Sequence, residues 1–389
     1  MTGPTVMLVA AEASGDGLGA GLARALKRRL PQVRFVGVGG RAMAAEGVES
    51  PFDISELSVL GLFEGLKAYP RVVKRADQTA ELADREKPDV AVLIDSWGFT
   101  LRVARRLRRR TPDLPLIKYV GPQVWASRPG RAKTLAGAVD RLLTIHSFDA
   151  PYFERAGLNT VFVGQPALAR DFSAADPARL RQRIGAEEAD RILLVLPGSR
   201  PAEIRHMIPP LKEACDILLA GRPDLKLVFP VADTVAAAVR EAVADWKSPP
   251  ILVEGEEAKA DAFVAATCAL ACSGTVSTEL ALAGCPMVVG YRIGSLTYAI
   301  LKRLMTTRYI TLFNIAAGEE VAPELVQERC TGPAFAAAAA PLLDDPARRE
   351  AQAAAQFAAL DRMGRGLPDP SERAAGEVIA MLRERGRLN

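Results

Sequence analysis

Short apolar runs alternate with helix-forming segments along most of this 389-residue chain, and the alternation occurs twice. That pattern restricts the chain to an α/β architecture built on doubly wound parallel sheets. In the first half the spacing predicts strands over 6–10, 34–38, 89–95, 116–120, 141–145 and 161–163. In the second it predicts strands over 192–196, 227–230, 251–253, 269–271 and 287–289. Gly164-Gln165-Pro166 breaks the rhythm between them and starts a linker. The expected organisation is a Rossmann-like domain over 1–167, a second over 168–350, and C-terminal helices over 351–389 that are open to crossing back. A ligand cleft between two such halves is the natural arrangement.

The stretch Cys272 to Arg292 carries the sharpest local signal. A strand ends, Ser273-Gly274-Thr275 opens a helix, Gly284-Cys285-Pro286 stops it, and Met287–Val289 is the next strand. A helix opening on Ser-Gly-Thr presents unpaired N–H groups and a partial positive charge, which suits a phosphate or diphosphate. Glu279, one turn further in, could accept hydrogen bonds from ribose hydroxyls. The same residues also make an ordinary N-cap and a first-turn dipole partner, so on this stretch alone the two readings stand level. Two other strand ends carry chemistry. Ile192–Leu196 runs into Pro197-Gly198-Ser199-Arg200 with Glu203 just inside a helix, and the 89–95 strand ends in Asp95-Ser96-Trp97-Gly98-Phe99. A carboxylate at the carboxyl end of a parallel strand sits on the ligand-binding rim.

Gly15-Asp16-Gly17-Leu18-Gly19-Ala20 formally fits a dinucleotide-binding GxGxxA. The fit fails in context. The first glycine comes well after the strand end, and the second strand ends in Val38-Gly39-Gly40 with no carboxylate for a ribose. Composition narrows the field further. A formal charge of +4 does not argue for nucleic acid, and none is expected as a partner. Five unevenly spaced cysteines without a CxxC pair read as reduced thiols, and two histidines supply neither a zinc site nor a histidine triad. No metal and no cofactor are expected. The N-terminus lacks a signal-peptide pattern, and no apolar run is long enough to span a bilayer. Leu57, Leu60, Leu62, Phe63 and Leu66, followed by Lys67, Arg71, Lys74 and Arg75, read either as an amphipathic helix on the sheet or as a basic-rimmed surface for anionic lipid. A second basic cluster runs from Arg105 to Arg110.

Taken together, AAEASGDGLGA from Ala10 to Ala20, FVGVGG ending at Gly40, YVGPQVWA, LPGSRPAEI, SGTVSTELALAGCPMVVGYR and the run from Asn314 to Gln327 resemble the lipid-A-disaccharide synthase family. The resemblance covers the chain from Val6 to about Cys330, in order. It implies an inverting hexosyltransferase of the GT-B fold, two Rossmann-like domains facing a cleft. The implied donor is UDP-2,3-diacylglucosamine and the implied acceptor 2,3-diacylglucosamine 1-phosphate. The product would be the β-1,6 disaccharide of lipid A, made by a cytoplasmic protein peripheral on the anionic inner face of the inner membrane. On the donor side the resemblance assigns Gly198, Ser199, Arg200, Glu203, Ser273, Gly274, Thr275, Glu279, Tyr291, Arg292, Asn314, Glu324 and Gln327. Where this chain reads Asp95-Ser96-Trp97-Gly98-Phe99 the family commonly reads Asp-x-Pro-Asp-Phe, and its second Asp is the favoured base. Gly98 stands at that position here. Gly121, Ser127, Gln165 and Phe313 also depart from the usual residues. Candidates for the base are therefore Asp95, Asp16 and Glu12, in that order. The alternatives are a related GT-B transferase with another acceptor, or a UDP-sugar-binding paralogue without transfer activity.

Overall fold

The computed structural model describes residues 3–57, 62–232 and 235–388. They divide into two compact units, one of residues 1–166 with 367–389 and one of residues 167–366. The first unit holds strands β1 (Thr5–Val9), β2 (Arg34–Val38), β3 (Val90–Ile94), β4 (Leu116–Tyr119), β5 (Arg141–Thr144) and β6 (Asn159–Phe162), all parallel, in the order β2-β1-β3-β4-β5-β6. The second holds β7 (Arg191–Leu196), β8 (Leu225–Val231), β9 (Ile251–Glu254), β10 (Cys268–Cys272), β11 (Met287–Tyr291) and β12 (Glu324–Val326). These are parallel too, in the order β12-β11-β10-β7-β8-β9.

The inner strands are fully buried, as expected for a parallel sheet covered on both faces. Alternate residues feed two cores in each unit. In the first, Met7, Val9, Ala91, Leu93, Leu116 and Leu142 face one core, and Val6, Leu8, Val92, Ile117, Tyr119 and Leu143 face the other. The C-terminal helix Pro370–Glu384 completes that second core with Ala374, Ala375, Val378, Ile379 and Leu382, a helical stripe. Ion pairs fix it on the polar side. Arg28 meets Glu372, and the nearly buried Arg141 meets Glu377 and Glu384. The preceding helix Pro346–Arg362 stays with the second unit through Ala359 and Leu360.

The segment read as a lipid surface behaves differently from that expectation at its start. Leu57 is buried in the first unit's core, at the end of a short 3₁₀ turn, Ile54–Leu57. Leu60 lies outside the described residues, and so do the side chains of Leu62, Phe63, Leu66 and Lys67. Arg71 and Tyr69 are exposed, whereas Arg75 is bound to Glu56 and lies over the Phe52 ring. Among the described residues no helix is long and apolar enough to cross a membrane.

Candidate active site

In a doubly wound sheet, ligands gather outside the carboxyl ends of the strands where the winding reverses. In the second unit that point lies between β7 and β10, where Leu196 pairs with Ala271. The loops leaving these two strands are Pro197–Arg200 and Ser273-Gly274, so the fold brings the predicted anion loop beside the loop that carries Arg200. The helices Pro201–Leu219 and Thr275–Leu282 both begin there. Gly198 has φ +121°, and a side chain there would strike the Glu203 Cβ at 2.6 Å, so only glycine fits. The Glu203 carboxylate ties the loop down. It accepts from the Ser199 N–H at 3.0 Å and from Arg200 Nη1 at 2.9 Å. The Arg200 side chain remains 77% exposed against 12% for Glu203, so Glu203 is a brace and Arg200 keeps donors for a ligand. Glu203, expected on the donor side, shapes this loop.

Gly274 starts its helix in an extended conformation with open space over its Cα. The Ser273 N–H donates to the Gly290 carbonyl, and Ser277 Oγ caps the Gly274 carbonyl at 2.7 Å. The hydroxyl of Thr278 is buried without a hydrogen-bond partner. Glu279 sits between two cations, Arg170 Nη1 and Lys259 Nζ, the latter at 3.0 Å. Each of its oxygens has one such partner and retains lone pairs for hydroxyl donors.

The last donor-side run turns inward. Asn314 Oδ1 accepts from the Val321 and Ala322 N–H groups, and its Nδ2 donates to the Ala322 carbonyl and to Glu324. All four of its hydrogen-bonding positions are occupied. Glu324 is buried and accepts from the Ile310 and Thr311 N–H groups and the Thr311 hydroxyl. Gln327, at φ +52°, pairs both ways with the Ile293 backbone. Asn314, Glu324 and Gln327, placed on the donor side with ordinary capping as the alternative, hold the loops around β11 and β12. Polar groups this deeply buried are stable only when satisfied, and these three are satisfied by the protein. Tyr291 is half-buried, which raises its phenol pKa, and Arg292 is exposed just beyond β11.

In the first unit the winding reverses between β1 and β3. There Ser14 Oγ donates to Asp95 Oδ2 at 2.9 Å. Asp95 and Ser96 both lie in the left-handed region, at φ +50° and +36°, and Val120 after β4 has φ +68°. Each such residue costs about 1–3 kcal/mol, and strain of this kind gathers where a site must be shaped. Thr100 Oγ1 bonds the Asp95 and Ser96 carbonyls, and the Asp95 N–H donates to the Tyr119 carbonyl at 2.8 Å. Lys118, only 2% exposed, reaches up from β4 to donate to the Asp95 carbonyl and, at 2.8 Å, to Thr100 Oγ1. Burial lowers its pKa to about 7.

The other two base candidates separate. Asp16 is buried, and its carboxylate accepts from the N–H groups of Gly40, Ala42 and Met43 at 2.7, 2.9 and 3.0 Å. It caps the short helix Arg41–Ala45, which engages three of its acceptor positions in backbone bonds. Glu12 is exposed at the start of the helix Ala13–Arg29 and makes no capping bond. Gly98 is exposed in the first turn of the helix Trp97–Arg110, and among the described residues an added Cβ would meet Arg102 Nη1 at 3.9 Å.

Sequence reasoning missed Lys118 and a cluster after β5. In that cluster Trp125 packs edge-on against His146 and Phe148. Burial pushes Asp149 up to about 7 and His146 down to about 4. Lys118 was visible as a lone cation on the inward side of an apolar strand; the Asp149 cluster depends on tertiary packing.

Two six-stranded parallel sheets, each with polar loops gathered where the winding reverses, define a protein of the GT-B glycosyltransferase fold. The chain belongs to the lipid-A-disaccharide synthetase family, whose model matches residues 6–367. It is 42% identical over 381 residues to the lipid-A-disaccharide synthase of Rhodospirillum centenum, covering 98% of this chain and 95% of that one. Among solved structures it is similar to S. aureus MnaA, determined with UDP, at a TM-score of 0.63 and 13% identity, covering 99% of this chain and 98% of that one. MurG of Acinetobacter baumannii is similar at a TM-score of 0.59 and 15% identity, covering 97% and 99%. Membership in the family makes the chain an enzyme, a hexosyltransferase of lipid A disaccharide formation.

Proposed function

We propose that the enzyme condenses UDP-2,3-diacylglucosamine with 2,3-diacylglucosamine 1-phosphate, giving the β-1,6 disaccharide 1-phosphate and UDP. The acceptor 6-hydroxyl oxygen attacks the donor's anomeric carbon from the face opposite the leaving group. The carbon–oxygen bond to the diphosphate breaks with its electron pair, and the hydroxyl proton passes to Asp95. The diphosphate is received by the helix start at Gly274-Thr275 and by the exposed guanidinium of Arg200. Glu279 takes the ribose hydroxyls, and Tyr291 and Arg292 border the same side. The observation that carries this reading is the juxtaposition of Gly198–Arg200 with Ser273–Thr275 at the β7–β10 reversal. The UDP held by the similar S. aureus protein adds support.

Diacylated substrates reside in a bilayer, so peripheral contact with the anionic cytoplasmic face of the inner membrane is part of the proposal, with exposed Tyr69 and Arg71 at its edge. The test is to supply both substrates to the purified protein and determine product mass and linkage. A β-1,6 disaccharide is expected; an α linkage, or donor hydrolysis alone, would overturn the proposal. One observation favours a second reading, a transferase with a different acceptor: Gly98 replaces the family's usual carboxylate. An acceptor lacking the 1-phosphate that reacts faster than the proposed one would select it.

A further inference from the structure

The geometry points to Lys118 as a positioning residue for the transfer. Its buried amine grips the Asp95 carbonyl and the Thr100 hydroxyl, and so holds the left-handed turn that presents the Asp95 carboxylate to Ser14. This rests on the reading of Asp95 as the base.

A lysine is a costly choice at this place. Its register neighbours on β3 and β5 are Leu93 and Leu142, both fully buried, and an apolar side chain would pack there without desolvating a charge. Among the described residues no carboxylate lies within ion-pair distance of its nitrogen; Asp95 and Glu12 are the negative charges that act on it. The amine is therefore not neutralised by a salt bridge. Its hydrogen bonds go to one turn, at Asp95 and at Thr100. Thr100 itself bonds the Asp95 and Ser96 carbonyls, so the lysine and the threonine brace the same two residues. The next residue of β4, Tyr119, accepts the Asp95 N–H. Consecutive residues of β4 thus hold Asp95 at both its carbonyl and its N–H. A turn with two successive non-glycine residues at positive φ needs such over-determination to persist. Released, it would relax toward ordinary backbone angles and carry the carboxylate with it, and a displacement of about 1 Å can cost as much as 10²-fold in rate.

The test compares Lys118→Met, which keeps the shape and removes the donors, with Lys118→Gln, which keeps two N–H donors without the charge. Kinetics with both substrates, UDP affinity and thermal midpoint are measured on each, with Asp95→Asn as reference. The expected result for Lys118→Met is a kcat lower by about 10- to 100-fold, a donor KM within about twofold of the parent, and a thermal midpoint no lower. Lys118→Gln should recover several-fold of the loss. Full kcat in Lys118→Met while Asp95→Asn is impaired would overturn the positioning role alone. Full kcat in Asp95→Asn would overturn the reading of the base on which it rests. If Lys118→Met does not fold, Lys118→Gln decides. Parental kcat with a lowered thermal midpoint in that variant would make the lysine structural only, and a loss in kcat at unchanged donor KM would support the positioning role.

Discussion

Ser14 and Asp95 are 81 residues apart in the chain, yet the Ser14 hydroxyl donates to Asp95 Oδ2 at 2.9 Å. The bond joins the first turn of the helix Ala13–Arg29, which follows β1, to the turn leaving β3, where the sheet's winding reverses, and it orients one carboxylate oxygen. Ser14→Ala removes the orienting donor without touching the carboxylate. We expect kcat to fall by about tenfold, the equivalent of one hydrogen bond to a charged group, with donor KM unchanged. Parental kcat in this variant would detach Ser14 from the site.

Arg200 is expected to act on the leaving group. Arg200→Ala should cost about 2–4 kcal/mol of transition-state stabilisation in kcat/KM, the range for a lost oxyanion donor. Glu203→Gln should lose less, because Glu203 braces the loop and leaves the ligand to its neighbours. The ranking is read directly from steady-state rates of the two variants.

Asp16→Ala should act on stability. Three backbone N–H groups lose their acceptor, and one of them, on buried Met43, becomes a buried unsatisfied donor at a cost of about 1–3 kcal/mol. A thermal melt should show a large drop, while turnover per folded molecule stays near the parent's. A folded variant with lost turnover would return Asp16 to the list of bases.

How much of this was legible in the sequence depended on whether the signal was local. The strand runs were, because parallel strands buried on both faces read as apolar stretches. Leu57 looked the same on paper whether facing lipid or core, and only its packing on the first unit's core decided it. The three-residue β12 was hidden because it begins with Glu324, a carboxylate buried by partners 10 to 14 residues earlier. Asp16 likewise finds its N–H donors 24 to 27 residues later, so nothing beside it announces a cap. The strand-to-helix turns at Gly198 and Ser273–Thr275 were readable because a glycine just after an apolar run marks such a turn.

The Asp149 cluster gives a pH dependence with a defined sign. Asp149, raised to about 7, holds its proton in the folded state while the unfolded chain ionises near pH 4. Its contribution to stability is fully present below about pH 4 and is lost as pH rises to about 7. Asp149→Asn mimics the protonated acid and escapes that loss. The stability of the variant relative to the parent should therefore grow between pH 4 and 7, toward about 4 kcal/mol at the upper limit, and then level off. His146, lowered to about 4, works in the opposite direction between about pH 4 and 6.5 and is common to both proteins. Denaturant melts of both across this range check the slope; a flat difference would mean that Asp149 ionises normally.

Asp95 is proposed to accept the proton at the end of β3, with Gly98 standing where the family resemblance implies a carboxylate. The direct measurement is the single-turnover rate of disaccharide formation at saturating donor for the parent and for Asp95→Asn. Gly98→Asp is added to the second as a restoring change, since Gly98 has open space around it. The expectation is a loss of about 10²–10⁴-fold in Asp95→Asn with UDP binding unchanged, and a gain of at least about tenfold on adding Gly98→Asp. An Asp95→Asn enzyme that forms the disaccharide at the parent's rate would contradict it.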